Sequence, residues 1–562
     1  MTLEKYSKTA VIILIIVLFA ELFSSQLFVS MTYDEPLHIS AGYSKLKTGD
    51  YRMNTEHPPL MQMIESLPLL IINPKLNLED KSWTNKNMME FTRRFFFVEN
   101  NNPQQLLQYA RMLIILLTII LALFVFKWTK EMLGTKAGLL ALLIFVFEPN
   151  ILAHGNLTTT DLGFTAFSFI AIYCYWKFYK KPTKTNLLIA AITMSLAQLT
   201  KYTAIFLWSA YLIIALTTIK QFQTTTKKFE YPLQRDIKNQ KYQHIYFHIT
   251  SLIIIALISL LAINAAYFFQ GTGTPIKKTM INDPHMDQKL FSPEKIFGTN
   301  KLVNFAAEKI PSILPYYYLK GLGFVIYEGR IIEPNIILGK YHERGAWHYY
   351  LATLALKTTI PFLILLILAI ILPQKIKKPN NWQFLLIPAI ILLTALSASA
   401  KQIGIRYILA IFPLLIIFIV SRIINARMTK TKYFIYLVMI LITAHAVSSI
   451  SNFPEYISYY NEIIGSENGW KYFTDTNTDW GQDFDKLAQY VKCRPDTKIA
   501  YLGTNDIKFY GLGDKIAQEK CAQEMLAISA SKTNYKEFSW LKNYEPQDKI
   551  GKSILLYNIT HC

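Results

Sequence analysis

The chain has 562 residues, 52% of them hydrophobic and only 17% charged, where soluble globular domains run to about a quarter charged. Lys and Arg number 58 against 38 Asp and Glu, a net charge of +20, but the basic residues fall in short clusters between long apolar runs, as positive-inside loops do, so a nucleic-acid partner is not expected. Aromatic content of 14%, 22 Gly and four Cys exclude disorder, collagen and a small disulfide scaffold, which leaves an integral, multi-pass membrane protein.

Lys5 and Lys8 precede an apolar run from about Thr9 to Ser30. That run is long and lacks a small-x-small exit, so it reads as an uncleaved signal anchor. A spanning helix needs about 20 mostly apolar residues. Candidates lie at 10–30, 108–127, 137–153, 158–177, 186–200, 203–219, 246–269, 349–372, 383–400, 404–424 and 433–453. The expected class is therefore an all-α polytopic membrane protein with about eleven transmembrane helices.

Alternate connections carry the positive charge: Lys127/Lys130/Lys136, Lys177/Lys180/Lys181/Lys184, Lys227/Lys228/Arg235/Lys238/Lys241, Lys375/Lys377/Lys378 and Arg422/Arg427/Lys430/Lys432. These set the N-terminus on the cytoplasmic side. Three long segments then lie outside. Residues 31–107 and 270–348 are loops of a transmembrane domain, 1–453. Residues 454–562 read as a small extracytoplasmic α/β domain, with an amphipathic helix near Asp483–Lys492 and strand-like runs at Lys498–Gly503 and Ser553–Ile559. Within it, Cys493 and Cys521 share a polar segment and could pair in an oxidising compartment. No repeat of 20–50 residues and no half-to-half symmetry is visible.

The outer edges of the spans concentrate ionisable groups. Thr32-Tyr33-Asp34-Glu35-Pro36 follows the first span, and partial desolvation there suits a general base. Glu56-His57-Pro58-Pro59-Leu60 is held rigid by Pro-Pro. Arg111, Asp161, Lys201 and Arg406 sit at the same membrane edge. Each alone is as consistent with a polar exit or a snorkelling side chain as with function. Together they put carboxylates and cations in one leaflet, a mixture suited to a lipid-linked phosphate leaving group and an acceptor awaiting deprotonation.

Those residues carry a resemblance. Asp34-Glu35, Glu56-His57-Pro58-Pro59-Leu60, Arg111, Thr159-Thr160-Asp161 and Leu199-Thr200-Lys201-Tyr202 resemble GT-C membrane glycosyltransferases, more narrowly the dolichyl-phosphate-mannose–protein mannosyltransferase-like group (glycosyltransferase family 39) and the related lipid A aminoarabinose transferase. Gly339-Lys340-Tyr341, Gly345 to Tyr350, Lys357-Thr358-Thr359-Ile360-Pro361, Arg406-Tyr407 and Asp479-Trp480-Gly481-Gln482-Asp483 fit the same pattern. The resemblance implies an inverting transfer of sugar from a polyprenyl-phosphate donor to a protein, lipid or glycan acceptor at the outer face. In it, Asp34, Glu35 and Asp161 are the catalytic carboxylates. Arg111, His57, Lys201 and Arg406 contact donor phosphate, and Glu56 and Tyr341 serve the acceptor or support the site.

Two departures qualify the match. His57 stands where aminoarabinose transferases have a lysine, and about 79 residues between 270 and 348 leave no room for the β-trefoil of eukaryotic mannosyltransferases. That points to a bacterial plasma (inner) membrane. No cofactor is required by this pattern; a divalent metal stays open as an alternative, to which Glu56 and His57 could contribute, although two residues do not make a site. A membrane transporter or lipid flippase is the competing class. It predicts midplane charges and paired broken helices, where the sequence shows edge charges.

Overall fold

The computed structural model describes residues 2–222, 240–275, 277, 301–330, 335–374, 382–517 and 523–560. Every predicted span is helical, though unequally so. Among the described residues, Tyr6–Gln26, Pro103–Leu133, Ile245–Ala266 and Lys432–Ile450 are each long and apolar enough to cross a membrane alone. Thr135–Val146, Tyr202–Thr218, Gln383–Ser397 and Ile411–Ile424 are shorter apolar helices. The predicted span 349–372 is two helices, Tyr349–Lys357 and Ile360–Ile371, bent by 117°. The chain is thus a mostly helical, multi-pass membrane protein.

Local chemistry explains the boundaries. Asn102 accepts the Gln105 N–H at 3.0 Å with Pro103 at the first helical position, starting the longest helix among the described residues. Gly134, at φ +92, then reverses the chain into Thr135–Val146. Thr160–Lys180 runs through the middle and is buried along nearly its whole length. Its apolar surface meets one continuous core that includes Leu121, Trp128, Phe145, Phe169 and Ile416.

The predicted outer loop 31–107 contains helices of its own, among them Glu35–Thr48, Pro59–Ser66 and Met88–Phe97. Glu35–Thr48 and Pro59–Ser66 cross so closely at Gly42 that a Cβ there would lie 1.8 Å from the Gln62 carbonyl oxygen. Ser66 Oγ donates to the Ile39 carbonyl at 2.9 Å across the same crossing. Residues 278–300 of the second predicted loop lie outside the described residues. The rest of that loop includes the helix Tyr316–Glu328 and a hairpin of β1 (Asn335–Ile337) and β2 (Lys340–His342).

After the last long helix, the chain forms the helix Phe484–Cys493 and strands β3 (Thr497–Ala500), β4 (Met525–Ser529), β5 (Asp548–Ile550) and β6 (Ile554–Asn558). The sheet order is β3-β4-β6-β5, with β3 and β4 parallel and the other pairs antiparallel. Alternation along the strands sends Ile499, Ala527 and Leu556 against Phe484 and Leu487, and Leu526, Ile528 and Leu555 against Phe538 and Leu541. Cys493 is exposed and unbridged, and Cys521 lies outside the described residues.

Candidate active site

Four charged side chains from four separate segments meet at one end of the helical bundle. Asp34 occupies the N-cap position of Glu35–Thr48, but its carboxylate does not cap the helix. Instead it accepts from Arg406 Nη1 at 2.7 Å. The same nitrogen lies 3.3 Å from Asp161 Oδ2, and Lys201 Nζ donates to Asp161 Oδ1 at 2.6 Å. Asp161 sits in the first turn of Thr160–Lys180, where the helix N-terminus favours negative charge. Lys201 precedes the turn Tyr202–Ile205, and Arg406 lies in the turn Ile405–Ile408.

Both cations rest on aromatic faces: Lys201 Nζ is 4.2 Å from the Tyr407 ring centre, and Arg406 Cζ is 4.1 Å from that of Trp480. The result is an alternating row, Asp34–Arg406–Asp161–Lys201, in which each charge is balanced before any ligand arrives.

Glu35 and Arg111 form a separate pair behind this row. Arg111 donates from Nε and Nη2 to the Glu35 carboxylate at 2.8 and 2.6 Å. Its remaining N–H groups go to the carbonyls of Gln26, Val29 and Ser30. All five guanidinium donors are therefore used within the protein. Glu35 also accepts from the backbone of Thr32 at 2.9 Å and of Thr158 at 3.0 Å. Burial alone would raise its pKa; Arg111 and these donors outweigh burial and hold the carboxyl below its ordinary value. Neither residue lines the cavity described next.

A cavity of about 990 Å³ opens beside the charged row. Its polar end is lined by Asp34, His38, Glu56, His57, Lys201 and Arg406, and Asp161 stands directly behind. Ile205, Phe206, Leu322, Val325 and Leu396 make an apolar flank from the neighbouring helices. Asp475, Asp479, Trp480 and Tyr535, all from beyond the last long helix, close the remaining side. Among the described residues, no group of three or more His, Cys, Asp or Glu side chains is arranged to hold a metal ion.

Burial tunes the cavity's titratable groups. The His38 and His57 rings lie 5.1 Å apart, each with a buried Nδ1 that has no hydrogen-bond partner. Burial pushes His38 down to about 4 and His57 well below its ordinary value, so both are neutral at pH 7. Glu56 reaches the cavity surface yet is walled by protein. It is pushed up to about 7, first by burial and then by the charges of Glu328 and Asp34, with Lys401 opposing. Glu328 and Lys401 face it as a pair at 2.7 Å.

Of the residues singled out in the sequence, Asp34, Asp161, Lys201 and Arg406 are brought together, and Glu56 and His57 join them on the cavity wall. Glu35 and Arg111 are held apart as a buried pair. Tyr341 lies on β2, 57% exposed and outside the cavity lining. Trp480 and Tyr407 stand in motifs that the sequence marks but take a place in the site only through the fold, and so do Glu328 and Lys401. Only charge marks the last two, and charge is common in outer loops.

Residues 104–232 match the family model described as dolichyl-phosphate-mannose-protein mannosyltransferase. Among solved structures, ArnT from Cupriavidus metallidurans in the apo state is similar over 100% of both chains at 10% identity, with a TM-score of 0.48. The same protein bound to undecaprenyl phosphate covers 98% of this chain and 99% of its own, again at 10% identity and 0.48. The Archaeoglobus fulgidus oligosaccharyltransferase in its apo form is similar over 81% of this chain and 56% of its own, at 12% identity and a TM-score of 0.44. The curated proteins give no match. Over residues 104–232, which run from the long second span past Asp161 and Lys201, the chain is similar to the dolichyl-phosphate-mannose-protein mannosyltransferase family.

Proposed function

We propose that the protein is a GT-C-type membrane glycosyltransferase that moves a sugar from a polyprenyl-phosphate donor to a hydroxyl acceptor, with inversion at the anomeric carbon. One observation carries the reading: the row Asp34–Arg406–Asp161–Lys201 borders a cavity with one polar end and one apolar flank. A lipid-linked phosphate needs both environments at once, since its head is anionic and its tail insoluble in water.

In this reading the lipid tail lies along Ile205, Phe206, Leu322, Val325 and Leu396, and the phosphate exchanges into contact with Lys201 and Arg406. Arg406 Nε is buried without a partner within the protein, so the guanidinium keeps one donor unspent. The acceptor hydroxyl enters from the opposite side and attacks the anomeric carbon in line. The bond from that carbon to phosphate oxygen breaks as the new glycosidic bond forms. Asp34 takes the hydroxyl proton, and polyprenyl phosphate leaves as an anion that needs positive charge and no proton donor. Asp161 keeps the two cations in place. Glu35 and Arg111, saturated by each other and by backbone, fix the loop that carries Asp34 and make no contact with phosphate.

Membrane lipids surround the helices, and the acceptor is a protein, lipid or glycan. The site faces the outer side of a bacterial plasma membrane, with the N-terminus cytoplasmic and the segment after residue 453 extracytoplasmic. The chemistry is mannosyltransferase-like in class.

Wild type and Asp34→Asn in nanodiscs, given a panel of undecaprenyl-phosphate sugars and followed by mass spectrometry, test the reading. Release of undecaprenyl phosphate by wild type, lost in Asp34→Asn while donor still binds, is expected. Equal release by both would remove Asp34 from the chemistry. No release from the panel or from native lipid extracts would overturn the transferase reading.

A further inference from the structure

Trp480 touches both Arg406 and the residue before Asp34, although it lies more than seventy residues beyond the nearer of them. Its indole face lies 4.1 Å from Arg406 Cζ, and its carbonyl accepts the N–H of Tyr33, the residue before Asp34, at 2.9 Å. The side chain is itself buried, so the guanidinium is clamped on a face shielded from water.

The turn that presents Trp480 is heavily determined. Gly481 has φ +87, a conformation that favours glycine, and a Cβ there would lie 2.7 Å from Tyr501 Oη. Asp479 Oδ1 accepts the Gly481 N–H at 3.1 Å and Oδ2 accepts the Ser531 N–H at 3.1 Å. Gln482 Oε1 accepts the Trp480 N–H at 2.6 Å, and the Gln482 carbonyl accepts the Ser30 N–H at 3.0 Å. Asn505 Nδ2 donates to the Met31 carbonyl at 3.1 Å, and Thr504 Oγ1 to that of Tyr33 at the same distance. The stretch 30–33 is thus pinned to the segment beyond the membrane helices at almost every residue.

We infer that Trp480 is a positioning residue for the transfer: its ring holds Arg406 and its backbone carbonyl holds Tyr33, the residue before Asp34, so one residue on a fixed turn sets the distance between the base and the cation that meets the leaving phosphate. The inference rests on the function proposed above. Misplacing reacting groups by about 1 Å costs on the order of 100-fold in rate, and loss of one shielded cation–π contact accounts for roughly 30-fold.

The test uses the full-length protein in nanodiscs as wild type, Trp480→Phe and Trp480→Ala, with two readouts. Hydrogen exchange at residues 30–34 needs no substrate, and kcat and KM are taken with whichever undecaprenyl-phosphate sugar wild type cleaves. Trp480→Ala is expected to exchange faster at 30–34 and to lose about 30-fold in kcat with KM changed less than about threefold, while Trp480→Phe stays close to wild type in both. Unaltered exchange and kcat in Trp480→Ala would overturn the inference, as would an equal loss in Trp480→Phe. If wild type cleaves no donor, the proposed function fails, and the exchange readout still decides whether the Trp480 ring, by fixing the turn whose carbonyl holds Tyr33, steadies the Asp34 loop.

Discussion

Glu35 and Arg111 meet across 76 positions of sequence through hydrogen bonds of 2.8 and 2.6 Å, with no part of either side chain exposed. A buried pair of this kind is valuable mainly because breaking it is expensive: the survivor is left charged, dry and alone.

Arg111→Met is therefore expected to destabilise the protein by about 3–5 kcal/mol. The double change Arg111→Met with Glu35→Gln should recover part of that loss, because no unpaired charge then remains. Thermal unfolding in detergent checks both. A melting temperature for Arg111→Met within about 2 °C of wild type would refute the structural role assigned to the pair.

Lys201 has a different expectation. It is paired with Asp161 at 2.6 Å but also lines the cavity. Lys201→Met should weaken binding of undecaprenyl phosphate by about 10–100-fold, the scale of one charge-assisted hydrogen bond. Native mass spectrometry of lipid retention reads this directly, and unchanged retention would take Lys201 out of the phosphate site.

Glu56 makes stability depend on pH. Its pKa in the folded protein is about 7, against 4.5 for an ordinary glutamate. Between those values the folded protein holds a proton that the unfolded chain has released. The stability contributed by the protonated group is complete below about pH 4.5 and is lost as pH rises through 7. Glu56→Gln keeps the neutral shape at every pH, so its melting temperature should gain on wild type between pH 4.5 and 7.5. A gap that stays constant over that window would contradict the assignment.

Gly42 tests the packing beneath the Asp34 helix. A Cβ at this position meets the Gln62 carbonyl oxygen at 1.8 Å and Ser66 Oγ at 2.4 Å. Gly42→Ala forces the two short helices apart and is expected to cost about 1–3 kcal/mol. It should also lower turnover, since Asp34 leads directly into the displaced helix. Wild-type melting and turnover together would show that the crossing relaxes freely.

Much of this architecture is legible in the residues. Apolar runs and alternating basic loops identify the long helices because hydropathy and charge act locally. Asp34, Asp161, Lys201 and Arg406 converge because each sits at the same edge of a different span, a relation that topology alone reveals. Side-chain direction is another matter. Arg111 carries the same charge as Lys201 and Arg406, but its helix turns it onto the carbonyls at the end of the first span, and nothing in a linear pattern encodes that rotation. Tyr341 stands in a motif of the resemblance, and the hairpin leaves it exposed and outside the cavity lining, a direction its sequence neighbours do not encode. Strand β5, Asp548–Ile550, is too short at three residues to show a period of its own, and β4, Met525–Ser529, as long as β6, is fixed by its pairing with β3 and β6.

The 117° bend between Tyr349–Lys357 and Ile360–Ile371 bears on the order in which the protein is assembled. The carbonyls freed at the break, those of Ala355, Leu356 and Thr358, accept hydrogen bonds from Asn461, and the Lys357 ammonium donates to the carbonyls of Ile457 and Asn477. All of those partners are synthesised about a hundred residues later. Unsatisfied backbone groups cost several kcal/mol in hydrocarbon, so the break is incomplete while the ribosome is still translating the last membrane helices. The segment after residue 453 thus finishes the membrane body, and a chain cut there is an unfinished bundle lacking the groups that close it.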